Sequence, residues 1–169
     1  PTLVSFAVTT QKTGDILSNE FKNAGDEVYV ISPEYDENDL PKADSLIAVF
    51  DKVTQLMREG KVMAAYTPGM GGAAEAVMKM CMGNGLGFEF DEKLDTNGIF
   101  GYSYGSFIIE ATEKIGGLKR LGKVLKETVI SHNGQDIDLS ALASEYENKL
   151  ESVYPCNIGE GGRAENIAY

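Results

Sequence analysis

Short apolar segments bounded by glycine, proline or polar residues predict the β-strands of this chain. Five of them are LVSFAVTT at 3–10, DEVYVIS at 26–32, KVMAAY at 61–66, GFEFD at 87–91 and YGSFIIEAT at 104–112. The segment ETVISHNGQDIDLS at 127–140 is predicted to be a hairpin, because Asn133-Gly134 is the strongest short signal for a two-residue turn.

Apolar residues at helical spacing predict two well-marked helices. The first spans residues 45–59. Asp44 or Ser45 is expected to cap it, and Gly60 to end it. Its apolar face carries Leu46, Phe50, Val53 and Met57. The second helix follows the glycine-rich turn at 68–72 and is rich in Ala and Met, which suits close packing on a sheet.

The second helix is predicted to end at Gly83. Its apolar face carries Ala73, Ala74, Val77, Met78 and Cys81. On its outer face, Glu75 and Lys79 have the i, i+4 spacing of a helical ion pair.

The remaining signals are weaker. Residues 14–25 form at most a short helix, which Gly25 would stop. A last helix is expected between a cap at Ser140 and a stop at Pro155, with its apolar residues on one stripe. Residues 114–123, KIGGLKRLGK, are interpreted as an exposed turn with solvated lysines.

The order of these elements predicts an α+β fold, a mixed β-sheet flanked by helices, because strands and helices do not alternate regularly. Residues 1–155 are predicted to form one domain. Residues 156–169 have no hydrophobic period and contain three glycines, so we expect a linker that leads toward a further domain. Because the chain enters a strand-like segment directly after Pro1, we interpret it as a piece excised from a longer protein.

Composition narrows the function. With 169 residues, of which 43% are apolar and 24% charged, the chain suits one soluble globular domain, and its two cysteines fit a reduced, cytoplasmic compartment. Its net charge of −11 disfavours nucleic acid as a partner, and no apolar run is long enough to cross a membrane. Cys81 and Cys156 are too few for a disulfide framework, and His132, the only histidine, makes a zinc site unexpected.

Three interpretations of the glycine-rich turn TPGMGG, residues 67–72, remain open. In the first interpretation, the turn is required only to connect a strand to a helix, for which glycine and proline are the usual residues. A second interpretation is a dinucleotide fingerprint, because Gly69, Gly71 and Ala74 match G-x-G-x-x-A. In that fingerprint, Glu89 or Asp91 would be the acidic residue that binds the ribose. However, Thr67 and Pro68 separate the strand from Gly69, whereas in a dinucleotide-binding fold the first glycine follows the strand directly.

The third interpretation is a phosphate cradle. The first turn of a helix has free amides and partial positive charge. Gly69, Gly71 and Gly72 would let an anion approach those amides, and Thr67 offers a hydroxyl. The pattern G-x-x-x-x-G-K-[ST] is absent, so a seat of nucleotide hydrolysis is not expected here.

No other group of residues suggests catalysis. His132 adjoins a hairpin turn, where a solvated role is expected. Tyr102, Ser103 and Tyr104 lie between glycines, where they either reach a ligand or cover the end of the sheet. The carboxylates form no obvious pair on an apolar background.

Three segments together resemble the C-terminal-type domain of the aminoimidazole ribonucleotide synthase superfamily. They are VMAAYTPGMGGAAEAVMKMCMGNGLGFEFD at 62–91, GIFGYSYGSFIIEA at 98–111 and the stretch from LGKVLKETVI to KLESVYP at 121–155. Within that superfamily the chain is most similar to phosphoribosylformylglycinamidine synthase, the glutamine-dependent ligase family of purine biosynthesis. The opening PTLVSFAVTT resembles the point where an ATP-binding-type domain leads into the C-terminal-type domain.

This resemblance implies a substrate-site domain with no catalytic residue of its own. It implies that Thr67, Gly69, Gly71 and Gly72 line the site for the phosphate of formylglycinamide ribonucleotide. It further implies partners in the same longer chain, an ATP-binding-type domain and a glutaminase domain. ATP and magnesium would be cofactors of the full enzyme and would not bind this fragment alone, which would be inactive. Apolar surface bared without the partner domain makes a homodimer of the fragment a hypothesis.

The chain also departs from the family pattern. The family commonly has His-Asp where this chain has Tyr66 and Thr67, and often an acid where it has Tyr102. These differences put a charged or metal-linked role of the turn in doubt and leave a backbone cradle intact. Two other functions stay open: a stand-alone phosphate- or nucleotide-binding module without catalysis, and a dinucleotide-dependent oxidoreductase.

Overall fold

The computed structural model of the chain describes residues 2–154. In this part of the chain, the strands are β1 Glu27–Ile31, β2 Val62–Tyr66, β3 Gly87–Phe90, β4 Phe107–Ala111, β5 Lys119–Leu125, β6 Val129–His132 and β7 Gln135–Asp138. The helices are α1 Ala43–Arg58, α2 Gly72–Met82, α3 Thr96–Phe100 and α4 Leu139–Asn148. The linker predicted for 156–169, together with Cys156, lies outside the described residues.

All seven described strands form one sheet in the order β2-β4-β1-β5-β3-β6-β7. Neighbouring strands are antiparallel except β3 and β6, which are parallel. The sheet is therefore mixed, and the predicted α+β fold is confirmed.

The sheet is packed on both faces. Alternate residues of β4 point to opposite sides, so Ile108 belongs to one hydrophobic cluster and Ile109 to the other. The larger cluster joins the sheet to α2, α3 and α4, and the smaller one joins it to α1. This arrangement fixes the start of α2 and its preceding turn against the larger cluster.

The end of α1 is as predicted and its cap is not, while its buried face agrees with the prediction at Val53 but not at Phe50. Gly60 has a φ of 69°, and the amide of the next residue donates to the Leu56 carbonyl at 3.0 Å, which closes the helix. Neither Asp44 nor Ser45 caps α1, because the Ser45 hydroxyl instead accepts a hydrogen bond from a loop amide. The buried positions are Val49, Val53 and Leu56, while the predicted Phe50 is 46% exposed.

The hairpin at Asn133-Gly134 is confirmed, with φ values of 51° and 76° that match its turn type. The cap of the following helix is Asp138 and not the predicted Ser140. The Asp138 carboxylate accepts a hydrogen bond from the Ala141 amide at 2.8 Å, so α4 begins earlier than expected. The helix ends at Asn148, well before the predicted stop, and Pro155 lies outside the described residues.

The strand predicted at 3–10 is wrong. These residues form no strand in the structure, and Leu3 and Phe6 are 93% and 89% exposed. A strand needs a neighbour for its backbone hydrogen bonds, and residues 3–10 have none within the described sheet. Residues 14–25 form no helix beyond the short 3₁₀ turn Thr13–Asp15, although Phe21 is buried and stacks on Phe88.

The interpretation of 114–123 as an exposed turn is wrong for its second half, where β5 lies in the middle of the sheet. Leu121 and Val124 of β5 are buried. The lysines in the same segment, Lys119 and Lys123, made it resemble an exposed turn in the sequence. Gly122 is required because a Cβ there would lie 2.1 Å from the Glu89 carbonyl oxygen on β3.

Candidate functional site

The glycine-rich turn connects the edge strand β2 to α2. Thr67 is exposed at its start, and Met70 at its tip is 90% exposed. Gly71 is the N-cap of α2 and Gly72 its first residue. The four residues predicted to bind substrate, Thr67, Gly69, Gly71 and Gly72, therefore lie together in one turn.

The carboxylate of Glu75 lies at the predicted cradle. One oxygen, Oε2, accepts a hydrogen bond from the Gly71 amide at 2.9 Å, and Oε1 accepts one from the Lys79 ammonium at 2.6 Å. The Lys79 ammonium, and then the Gly71 amide, lower the pKa of Glu75 below its ordinary value. The predicted i, i+4 pair is thus confirmed, and its carboxylate is ionised at neutral pH.

The other amides of the turn are used unequally. The Gly72 amide donates to the Gly69 carbonyl at 3.2 Å and closes the turn. The amides of Ala73 and Ala74 belong to the first turn of α2, where no carbonyl four residues back lies within the helix. Of these two residues, Ala73 is buried in the larger hydrophobic cluster, whereas Ala74 is only partly buried.

Packing alone accounts for two of the glycines. Gly72 has a φ of 63°, and a Cβ there would lie 2.7 Å from the Gly101 carbonyl oxygen, directly after α3. A Cβ on Gly71 would lie 2.5 Å from the Cβ of Glu75. The interpretation of the turn as a tight strand-to-helix connection is therefore supported, whatever it binds.

The topology does not match the dinucleotide fingerprint. In that fold the first strand is central and parallel to its neighbours, whereas β2 lies at an edge and is antiparallel to β4. The proposed acidic residues are also engaged elsewhere. Asp91 pairs with Arg120 at 2.8 Å, and Glu89 lies 3.7 Å from Lys123.

A cavity of about 470 Å³ adjoins the turn at Gly71 and Glu75. We call it the hairpin groove and define it by its apolar lining residues Met78, Ile99, Phe100, Ile130, Ile137 and Leu142. The partly buried His132 also lines it, with its ring edge-on to Phe90. Sequence reasoning missed this groove because its walls come from α2, α3, α4 and the hairpin, which are distant in sequence.

The tyrosines near the end of the sheet form a packed cluster. The ring of Tyr102 makes edge contacts with Tyr35 and Tyr104, with centroids 5.5 and 4.8 Å away. The Tyr35 hydroxyl donates to the Tyr104 carbonyl at 2.9 Å. The Ser103 hydroxyl is buried and has no hydrogen-bond partner among the described residues. These contacts support the interpretation that the tyrosines cover the end of the sheet.

One buried carboxylate was not predicted. Glu110 on β4 is fully buried, and it accepts hydrogen bonds from the amides of Lys22 and Asn23 at 2.8 to 3.0 Å. Burial raises its pKa above the ordinary value. The sequence did carry a signal for it: Glu110 is a single acid within the otherwise apolar strand FIIEA. Since glutamate is almost never fully buried without partners, an acid in such a strand indicates hydrogen-bond partners in the core.

Other chemistry is limited in the described part of the chain. No group of three or more His, Cys, Asp or Glu residues there is placed to hold a metal ion. Cys81 is fully buried on α2, as predicted, and burial raises the pKa of its thiol to about 12. No helix among residues 2–154 is both long enough and apolar enough to span a membrane.

Comparison with known proteins identifies the fold. No protein-family model and no curated protein sequence matches the chain. Among solved structures, PurLQS from Thermotoga maritima matches with a TM-score of 0.67 at 11% identity, covering 79% of this chain and 28% of that one. Thermotoga maritima PurL complexed with FGAR matches with a TM-score of 0.64 at 11% identity, covering 78% and 30%.

A third match is phosphoribosylformylglycinamidine synthase II from Thermotoga maritima, with a TM-score of 0.63 at 12% identity over 78% of this chain. The chain spans between 28% and 30% of the length of these three structures. The resemblance predicted from the residues is thus confirmed at the level of the fold.

Proposed function

We propose that this chain, whose fold is that of PurL, is the substrate-site domain of a purine-biosynthesis ligase. The observation that carries this proposal is the match, over 78% of the chain, to PurL complexed with FGAR, formylglycinamide ribonucleotide. Other matching PurL structures are complexed with ATP, ADP and AMPPCP. The intact enzyme would convert formylglycinamide ribonucleotide, glutamine, ATP and water to formylglycinamidine ribonucleotide, glutamate, ADP and phosphate.

The proposed reaction has two steps. ATP transfers its γ-phosphoryl group to the amide oxygen of the substrate, and ammonia released from glutamine then attacks the activated carbon and expels phosphate. Such phosphoryl transfer depends on positioning and charge stabilisation. The part proposed for this chain is to hold the ribonucleotide phosphate, which fixes the amide relative to ATP.

The turn offers two groups for that role. Thr67 supplies an exposed hydroxyl, and the partly buried Ala74 supplies a first-turn amide at the positive end of α2. An anion at a helix N-terminus gains about 0.3–2 kcal/mol, depending on burial. A phosphate placed on the Gly71 amide would have to displace the Glu75 carboxylate, which would keep Lys79 as its partner.

In this proposal, ATP and magnesium belong to an ATP-binding-type domain, and ammonia release belongs to a glutaminase domain, of a longer chain. The 169-residue chain alone is accordingly proposed to bind substrate without converting it.

Calorimetric titration of the 169-residue chain with formylglycinamide ribonucleotide, ribose 5-phosphate and inorganic phosphate tests the proposal. We expect the full ribonucleotide to bind most tightly, and no amidine to form when ATP, magnesium and ammonia are added. Equal affinity for all three ligands would favour a stand-alone phosphate-binding module. Absence of binding, or amidine formation by this chain alone, would contradict the proposal.

A further inference from the structure

The segment 2–9, TLVSFAVT, presents an apolar stripe to water. Residues 2–9 form no strand of the described sheet, but when such a segment is extended its alternate side chains share a face, which would place Val4, Phe6 and Val8 together. They are 81%, 89% and 76% exposed. A contiguous apolar stripe of this kind marks an interaction site more often than an ordinary surface. The stripe has the period-two pattern of a strand that is buried on one face.

The hairpin groove is a matching receptor. Its volume of about 470 Å³ lies within the range of about 300–1,000 Å³ typical of pockets that bury a ligand. Ile137 on β7 lines it and is still 52% exposed. The strand β7 ends the described sheet, so an extended segment can lie along its open edge.

We propose that the segment 2–9 of one copy of this chain docks in the hairpin groove of a second copy. Two copies that exchange segments in this way form a two-fold dimer with two equivalent contacts. Residues 2–12, fully extended, reach about 35 Å, which suffices to cross to a neighbouring molecule. This inference concerns the 169-residue chain and does not rest on the proposed function.

Charge favours this contact over others between two copies. Each copy carries a net charge of −11, so most pairs of surfaces repel each other. Residues 2–12 contain no acid and one lysine, Lys12. In the groove, the carboxylate of Glu75 is already paired with Lys79. Because burial of apolar side chains drives the contact while net charge opposes it, added salt strengthens this dimer.

Two pairs of matched variants test the proposal. Phe6→Asp places a charge in the apolar stripe, and Ser5→Asp places the same charge on the opposite face of the segment. Ile137→Asp alters the groove, and Ile47→Asp alters an isoleucine on α1 that is similarly exposed, at 57% against 52%. Since all four positions are exposed, each variant is expected to fold, and circular dichroism checks this.

Sedimentation velocity from about 1 to about 200 µM measures dimerisation in the micromolar range. We expect the wild type, Ser5→Asp and Ile47→Asp to dimerise, and Phe6→Asp and Ile137→Asp to dimerise at least tenfold more weakly. A monomeric wild type would overturn the proposal. That outcome includes a segment 2–9 that docks in the groove of its own molecule. Dimerisation that only one of Phe6→Asp and Ile137→Asp weakens would also overturn it.

Discussion

The Glu75 carboxylate accepts a hydrogen bond from the Gly71 amide at 2.9 Å, one turn before it on the chain. An anion thus already sits at the amide where the sequence predicts a phosphate. The arrangement shows that the turn can hold a negative group through its backbone. It also means that a substrate phosphate at this amide competes with a side chain of the protein itself.

The contribution of Glu75 to stability should depend on pH. Its folded-state pKa lies below the ordinary 4.5 because Lys79 and the Gly71 amide favour the ionised form. This stabilisation is therefore complete above about pH 4.5 and is lost as pH falls through the lower folded-state value. We expect the wild type to be about 0.5–1.5 kcal/mol more stable than Glu75→Gln at pH 7.

Urea denaturation of both proteins between pH 3 and 7 measures this difference. It should shrink steadily below pH 4.5. A difference that stays constant with pH would show that the carboxylate charge does not stabilise the turn.

Gly72→Ala should destabilise the fold by about 2 kcal/mol or more, because its φ of 63° is unfavourable for alanine and the new Cβ would meet the Gly101 carbonyl oxygen. Gly116→Ala is the matched control, since a Cβ there meets nothing within 4 Å. Thermal unfolding compares the two. Equal stability of both variants would refute the close approach of α3 to the turn.

Glu110→Ala should cost about 2–4 kcal/mol, because it leaves the amides of Lys22 and Asn23 without their acceptor in the core. Glu110→Gln keeps one acceptor oxygen and should cost less. Since burial raises the pKa of Glu110, its contribution is largest below pH 4.5 and falls as pH rises through the folded-state value. A neutral effect of Glu110→Ala in denaturant titrations would show that these bonds contribute no net stability.

Cys81 should resist alkylation in the native protein. Its thiol is fully buried, and a pKa of about 12 leaves almost no thiolate at neutral pH. With Cys156→Ser to remove the second thiol, iodoacetamide labelling followed by mass spectrometry should detect modification only after denaturation. Rapid labelling of the folded protein would mean that α2 opens readily.

The elements that were predicted correctly depend on local signals. Gly60 ends α1, and Asn133-Gly134 turns the hairpin, because each needs a backbone conformation that few other residues adopt. The helical spacing of apolar residues likewise predicted α2, and with it the position of the glycine-rich turn that precedes it.

The errors arose where a distant neighbour decides the structure. Residues 3–10 have the composition of a strand but no strand beside them in the described sheet. The strand β5 looks like a lysine-rich turn, and it is buried because β1 and β3 lie on either side of it. The sequence also could not reveal that the Glu75 side chain folds back onto Gly71. The i, i+4 spacing between Glu75 and Lys79 indicated only the ion pair that they form.

The central claim is that the turn at 67–72 holds the phosphate of formylglycinamide ribonucleotide. The most direct test is titration of this ligand into the ¹⁵N-labelled chain, comparing wild type with Glu75→Gln and with Glu37→Gln, which removes an exposed charge elsewhere. The account predicts that the amide resonances of Thr67, Gly69, Gly71, Gly72 and Ala74 shift. It also predicts that Glu75→Gln alone binds about five- to tenfold more tightly, because a repelling charge is gone. Unchanged resonances in the turn, or equal affinity of all three proteins, would contradict it.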